Sequence, residues 1–148
     1  MKRIFVLATI VLSGCASLSE NVALTSNGIE PSKVLIYREG SFHAGGASLY
    51  VGKNEQYFLK LKNDQYSQFF IDSGRHLLQA KASGSPASTL ELDLLPGQTT
   101  CVKARPNAKS LGAILIPIVG NMVPTFMMEN VSCPTQEEIS EYEFVEKS

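Results

Sequence analysis

The chain has 148 residues, a formal net charge of −1 and an apolar fraction of 44%, which is the composition of an ordinary globular protein of one domain. A nearly neutral chain argues against a nucleic acid partner, because nucleic-acid-binding proteins carry a basic patch. Three cysteines and two histidines show no paired spacing typical of a zinc site, so we expect no metal and no other cofactor.

The first residues form a short apolar segment that ends at a cysteine. Two basic residues precede an apolar run, residues 4–11, and Leu12-Ser13-Gly14-Cys15 follows it. This layout is that of a secretory signal peptide, and the run is far shorter than the ~20 residues of a membrane-spanning helix. We therefore predict a signal peptide over residues 1–14.

The residues that end at Cys15 resemble the lipobox of bacterial lipoproteins, which is Leu, a small residue, Gly or Ala, and Cys. The resemblance implies that the Cys15 thiol receives a diacylglycerol, that cleavage precedes Cys15, and that fatty acyl chains such as palmitate anchor the protein. Ala16, in place of Asp, favours by the same resemblance the outer membrane of the bacterial envelope, on its periplasmic side. A plain signal peptide with an incidental cysteine is the alternative.

Residues 15–32 are polar and predict a tether, so we expect the folded domain over residues 33–148. From Val34 the apolar pattern has a period of two, which indicates strands. Seven strands are predicted before residue 105, in the order Val34–Tyr37, Ala47–Val51, Tyr57–Leu61, Tyr66–Ile71, His76–Ala82, Leu90–Leu94 and Thr99–Ala104. The first is apolar at every position, as expected of a strand that is buried on both faces.

Turn signals separate these strands. Gly52-Lys53-Asn54 is typical of a tight hairpin turn, and Leu95-Pro96-Gly97-Gln98 of a type II turn. An irregular insert, residues 106–124, precedes a last strand at Phe126–Val131. Thr135 and Glu138 then form a capping box, which predicts a short acidic helix with Ile139 and Tyr142 facing the strands.

About eight short strands with intervening turns predict an all-β fold, an antiparallel β-sandwich with a short C-terminal helix. The motifs of this region resemble a family of small bacterial lipoproteins classed as a domain of unknown function, and more broadly the PEGA-type sandwich repeats. They are Ile36-Tyr37-Arg38, Gly45-Gly46, Tyr50-Val51-Gly52, Ser73-Gly74-Arg75-His76, Leu90–Thr99 and Phe126–Glu138. The resemblance implies a sandwich fold and no agreed activity.

Once Cys15 is assigned to lipid, Cys101 and Cys133 remain as an even pair in an oxidising compartment. We predict a disulfide between them, with a metal site as the weaker alternative.

The insert contains an interrupted apolar stretch, residues 111–123, which is too short and too broken to span a bilayer. It is interpreted either as a loop that covers one end of the sandwich or as an exposed apolar surface for a partner or a membrane. The residues of that possible interaction surface are Leu111, Ile114, Ile116, Ile118, Val119 and Met122.

Catalytic patterns are weak. His43 and His76 are the two histidines, and a hydrolase would pair one of them with a neighbouring serine or Asp72, but no Gly-x-Ser-x-Gly motif is present. Glu91 and Asp93 alternate with leucines, which indicates the solvated face of a sheet rather than a glycosidase pair. We therefore predict that the protein is not an enzyme.

Aromatic residues concentrate in the first four predicted strands and are explained by core packing or by a sugar-stacking platform. They are Tyr37, Tyr50, Tyr57, Phe58, Tyr66, Phe69 and Phe70. The function predicted from the sequence is a lipid-anchored envelope protein with a non-catalytic interaction or structural domain, whose protein partner the sequence does not identify. A glycan- or peptidoglycan-binding module is the first alternative, and a hydrolase is the second.

Overall fold

The structure is a computed structural model and describes residues 17–19, 21–42, 44–113 and 122–147. These ranges hold nine strands in two sheets and two short helices, so the predicted all-β fold is confirmed. The strands are β1 Pro31–Arg38, β2 Leu49–Lys53, β3 Gln56–Leu61, β4 Gln65–Asp72, β5 Gly74–Lys81, β6 Ser88–Leu94, β7 Thr99–Pro106, β8 Phe126–Val131 and β9 Glu143–Phe144. The helices are α1 Ala108–Ala113 and α2 Gln136–Ser140.

The two sheets enclose one main core. The five-stranded sheet has the order β8-β7-β1-β4-β9, and the four-stranded sheet has the order β3-β2-β5-β6. The core contains aliphatic side chains from both sheets, with Phe58 and Phe69 in edge-to-face contact at 5.1 Å between ring centroids. Burial of this apolar surface is the dominant stabilising contribution to such a fold.

The period-two pattern predicts burial correctly where it is cleanest. In β6, Leu92 and Leu94 are buried while Glu91 and Asp93 are exposed. In β1 the apolar run is buried or half-buried on both sides, because one face meets the four-stranded sheet and the other meets α2.

Two parts of the predicted sandwich need correction. The sheets are not wholly antiparallel, because β1 pairs in parallel with β7 and β4 pairs in parallel with β9. The turn at Leu95–Gln98 lies beside the start of β1, where the Gly97 amide donates to the Pro31 carbonyl at 3.1 Å. Strand β7 therefore starts at the same end as β1 and runs in the same direction.

The strand count also differs from the prediction of about eight. Strand β9 was missed because it has two residues, both exposed, and a two-residue segment carries no alternating pattern.

The tether predicted for residues 15–32 is shorter than expected. Strand β1 already begins at Pro31, and Leu24 is only 6% exposed and belongs to the main core. The composition of the segment is polar, but Leu24 and, in part, Val22 pack against the core.

The β2–β3 turn begins at Asn54, two residues after the predicted start at Gly52. Asn54 and Glu55 have φ values of 51° and 62°, whereas Gly52 remains within β2. A Cβ at Gly52 would lie 2.4 Å from the Gln56 carbonyl oxygen and 2.8 Å from the Tyr57 ring. Glycine is required there for close approach of the two strands. The predicted turn at Gly97 is confirmed, since its φ is 68°.

Candidate functional site

Several predicted site residues lie outside the described residues. They are Cys15, His43, Ile114, Ile116, Ile118, Val119 and the side chain of Leu111. Met122, at the end of the insert, is described and is 76% exposed.

The base of the insert is closed by Asn107, which is 6% exposed. Its backbone amide donates to the Thr125 carbonyl at 2.8 Å, and its side-chain amide donates to the Pro124 carbonyl at 3.0 Å. Its side-chain oxygen accepts from the Lys109 amide at 3.1 Å, at the start of α1. Both ends of the insert are thus tied to one side chain.

Residues 132–147, here called the C-terminal strap, cross the outer face of the five-stranded sheet from the β8 edge to the β9 edge. The predicted disulfide is present: Cys101 in β7 is joined to Cys133, with the Cα atoms 5.0 Å apart. Cys101 is 1% exposed, whereas Cys133 is exposed. The disulfide holds the start of the strap against the sheet.

Helix α2 of the strap begins with the predicted capping box. The Glu138 amide donates to the Thr135 hydroxyl at 3.2 Å, and the Thr135 amide donates to the Glu138 carboxylate at 2.7 Å. The backbone amide of Thr135, and to a lesser extent its side chain, hold the pKa of the Glu138 carboxylate below its ordinary value. The helix places Ile139, 7% exposed, against Leu35 and Cys101.

Tyr142 follows α2 and packs edge-to-face on Tyr37, with ring centroids 5.3 Å apart. Burial raises the pKa of both phenols above the ordinary value. Ile139 and Tyr142 therefore both face the sheet, as predicted, and the strap supplies a second apolar cluster outside the main core.

The segment that follows the predicted lipidation site is attached to both sheets. The Ser19 amide donates to the Tyr57 carbonyl of β3 at 2.6 Å, and the Asp72 amide of β4 donates to the Leu24 carbonyl at 2.9 Å. The Ser26 amide and hydroxyl both donate to the Asp72 carboxylate, which lowers the pKa of Asp72. Ser19 and residues 21–26 thus lie along the side of the sandwich where β3 and β4 are in contact.

A groove of about 490 Å³ lies on that side. Its walls are residues 22–25 and residues of the strap, and its floor is part of β4. Phe70 and Phe144 line it and are 59% and 53% exposed. Sequence reasoning missed this groove, because it depends on contacts between segments that are distant in the chain.

Arg38 was also missed as a candidate; it is fully buried at the end of β1. Its guanidinium donates to the carbonyl oxygens of Ala47 at 2.6 Å, Leu61 at 3.0 Å and Ala44 at 2.7 Å, and to the Asn63 side chain at 2.8 Å. Burial lowers the pKa of Arg38, an effect that the charge of Asp64 opposes.

The same guanidinium lies 4.5 Å from the centroid of the Phe126 ring. Arg38 is in phase with Val34 and Ile36 along β1, so its side chain lies on the same buried face. The arrangement fixes the loop after β1 and is structural, since four of the five guanidinium N–H groups are bonded to protein acceptors.

His76 is 9% exposed and both of its ring nitrogens have partners. Its Nδ1 lies 2.8 Å from the Lys53 Nζ, and its Nε2 lies 2.7 Å from the Asp72 carbonyl oxygen. Because an ammonium group can only donate, Nδ1 accepts and Nε2 carries the proton. His76 therefore bonds to a lysine and to the backbone rather than to a serine hydroxyl in the described part of the chain.

The remaining candidates are the strand carboxylates and the clustered aromatic residues. Glu91 is on the solvated face of β6 and pairs with Arg75 at 3.2 Å, with both side chains more than 60% exposed. Of the clustered aromatic residues, Tyr57, Phe58 and Phe69 are buried, Phe70 is exposed, and Tyr37, Tyr50 and Tyr66 are half-buried.

Within the described ranges, no helix is long and apolar enough to cross a membrane. Over the same residues, no three His, Cys, Asp or Glu side chains are grouped so that they could hold a metal ion.

Comparison with known proteins identifies no family for this chain. No family model matches this chain, and no curated protein matches it. Among solved structures, an NMR structure of a protein from Eubacterium rectale is similar, with 16% identity and a TM-score of 0.37. The match covers 57% of this chain and 86% of that chain.

Proposed function

We propose that this protein is a lipid-anchored lipoprotein of the bacterial envelope whose β-sandwich is a non-catalytic interaction domain, held on the periplasmic side of the outer membrane. The anchor is the thiol of Cys15 in the sequence Leu12-Ser13-Gly14-Cys15. A thiolate is the nucleophile that accepts the diacylglycerol, and several acyl chains on one residue give stable anchoring where a single chain gives marginal binding.

The sequence that ends at Cys15 carries the proposal, and the attachment of the next described residues to the sandwich limits the distance between the anchor and the domain. Ser19 bonds to β3, and Leu24 is buried in the core. Four residue steps separate Cys15 from Ser19, which is a reach of at most ~14 Å. A lipid on Cys15 would thus hold the domain beside the membrane rather than at the end of a long tether, which raises its effective concentration for partners there.

The alternatives have less support in the described residues. A sugar-stacking platform requires exposed rings, but most of the aromatic residues of the first four strands are buried or half-buried. A hydrolase requires a general base, and the ring nitrogens of His76 are occupied by Lys53 and the Asp72 carbonyl.

The test is metabolic labelling of the full chain with radioactive palmitate in a Gram-negative bacterium, followed by separation of membranes. We expect label in the protein and partition into the outer-membrane fraction, and we expect Cys15→Ser to lose both. The matched control is the double variant Cys101→Ser/Cys133→Ser, which keeps Cys15 and should keep the label. Palmitate in the Cys15→Ser protein would refute the anchor.

A further inference from the structure

Strand β4 has one edge that is only partly paired. Every second residue of β4 directs its backbone amide and carbonyl away from β1, starting with Tyr66. On that outer edge the Tyr66 carbonyl accepts from the Val145 amide at 2.8 Å, and the Asp72 amide donates to the Leu24 carbonyl at 2.9 Å. Pairing with β9 stops at Tyr66.

Between those two bonds the backbone is open. Gln68 and Phe70 direct their amide and carbonyl groups to the same edge, and none of these groups has a hydrogen-bond partner among the described residues. An unpaired stretch of this kind is a template for another strand, and proteins usually cover it. Here the strap covers one end and residues 22–25 cover the other, leaving the middle open.

The groove of about 490 Å³ lies over this open stretch. Gln68, Phe69 and Phe70 form its floor, and its volume falls in the range of about 300–1,000 Å³ that is typical of ligand sites. Phe70 and Phe144, both more than half exposed, line the groove.

We propose that this groove binds an extended peptide segment of a partner protein by strand addition to Gln68–Phe70. Donors and acceptors that alternate along a strand edge are complemented by another extended backbone, which supplies affinity in this recognition mode. An apolar side chain of the peptide would lie between Phe70 and Phe144, where cross-strand contacts with aromatic rings are favourable. This inference rests on the proposed interaction role of the sandwich, which it makes specific, but it does not depend on the lipid.

A single extended chain fits the groove better than a second copy of the sandwich. The open stretch is recessed between residues 22–25 and residues 144–147, which both line the groove. The edge of another sheet would have to displace these two segments, and Leu24 would then leave the core. A peptide of three to four residues needs no such displacement.

The test is selection of binders from a random heptapeptide library with the full chain purified in detergent, followed by hydrogen exchange of the protein amides. We expect the selected peptides to slow exchange at the Gln68 and Phe70 amides, which should exchange rapidly in the free protein. N-methylation of alternate peptide amides removes the donors of the added strand and should weaken binding roughly tenfold or more, with the protein itself unchanged.

Protein variants separate the contribution of the Phe70 backbone amide to binding from that of its side chain. Phe70→Ala removes the aromatic contact, and Phe70→Pro also removes the amide that faces the groove while leaving the pairing with β1 intact. We expect Phe70→Pro to bind about five- to tenfold more weakly than Phe70→Ala. Leu77→Ala, an exposed leucine on the other sheet, is the control and should bind like the parent.

Three results would overturn the proposal. They are protected Gln68 and Phe70 amides in the free protein, equal affinity of N-methylated and unmodified peptides, and protection of these amides by dimerisation of the chain without peptide. The first would mean that the edge is already covered, the second that no ladder forms, and the third that the occupant is a second copy. Loss of the palmitate label leaves all three readouts unaffected, so failure of the peptide site and failure of the lipid anchor are distinguishable.

Discussion

The outer face of the five-stranded sheet is covered by the strap, whereas no described segment covers the outer face of the four-stranded sheet. On the covered face, Leu35 and Cys101 are at most 9% exposed and pack against Ile139. On the open face, Arg75 and Glu91 form an exposed ion pair. The first sheet is therefore stabilised from both sides and the second from one.

The apolar patterns of the strands reflect this difference in coverage. A strand that is covered on both faces is apolar at successive positions, as β1 is from Val34 to Tyr37, and a strand with one wet face alternates, as β6 does. The exposed charges of β6 contribute little to stability, because surface ion pairs are worth ~0–1 kcal/mol.

Removal of the disulfide should have the largest effect and should act on the covered face. The double variant Cys101→Ala/Cys133→Ala opens a loop of 32 residues, and the chain-entropy relation gives a loss of about 3–4 kcal/mol in the free energy of unfolding. Urea denaturation measures this loss. Amide hydrogen exchange should accelerate more in α2 and β9 than in β5 and β6. Equal acceleration in both regions would mean that the disulfide does not act mainly on the covered face.

A leucine substitution on each face should show how much more stability the covered face contributes than the open one. Leu35 in β1 is 9% exposed under the strap, whereas Leu77 in β5 is 48% exposed on the open face. We expect Leu35→Ala to lower the free energy of unfolding by about 2–3 kcal/mol and Leu77→Ala by less than about 1 kcal/mol. Urea denaturation of both variants is the measurement, and similar losses would mean that the strap does not bury its face.

Strand alternation, turn chemistry and capping could be predicted because each is local. Phe126–Val131, the Gly97 turn and the capping box of Thr135 all have the predicted positions. Alternation reports which face of a strand is buried but not which strand lies beside it, so the parallel pairing of β1 with β7 was not predicted.

The groove and the attachment of residues 19–26 depend on contacts across long stretches of chain. The bond from Ser19 to Tyr57 and the bond from Asp72 to Leu24 join residues that are about 40 and 50 positions apart, and no local pattern marks them. Arg38 was not placed by the sequence, because the predicted strand ended at Tyr37, and its acceptors in the next loop and in β3 follow only from the fold.

The smallest expected effect is a dependence of the strap on pH through Glu138. Its carboxylate accepts from the Thr135 amide, and this bond holds its pKa below the ordinary value of 4.5. A carboxyl group whose pKa is lower in the folded state contributes its full stabilisation above the unfolded value and loses it as the pH falls through the folded value. We therefore expect protection factors of the α2 amides to fall when the pH is lowered below about 4.5, with β5 and β6 unaffected at the same pH.

Glu138→Gln is the matched control for this prediction. Glutamine can replace glutamate in a capping box, and it does not titrate. The variant should retain protected α2 amides at neutral pH and lose the acid-dependent fall. If the parent and Glu138→Gln respond to acid alike, the acid sensitivity of the strap has another origin than the capping carboxylate. If neither responds, the disulfide and the packing of Ile139 hold the helix in place without help from its cap.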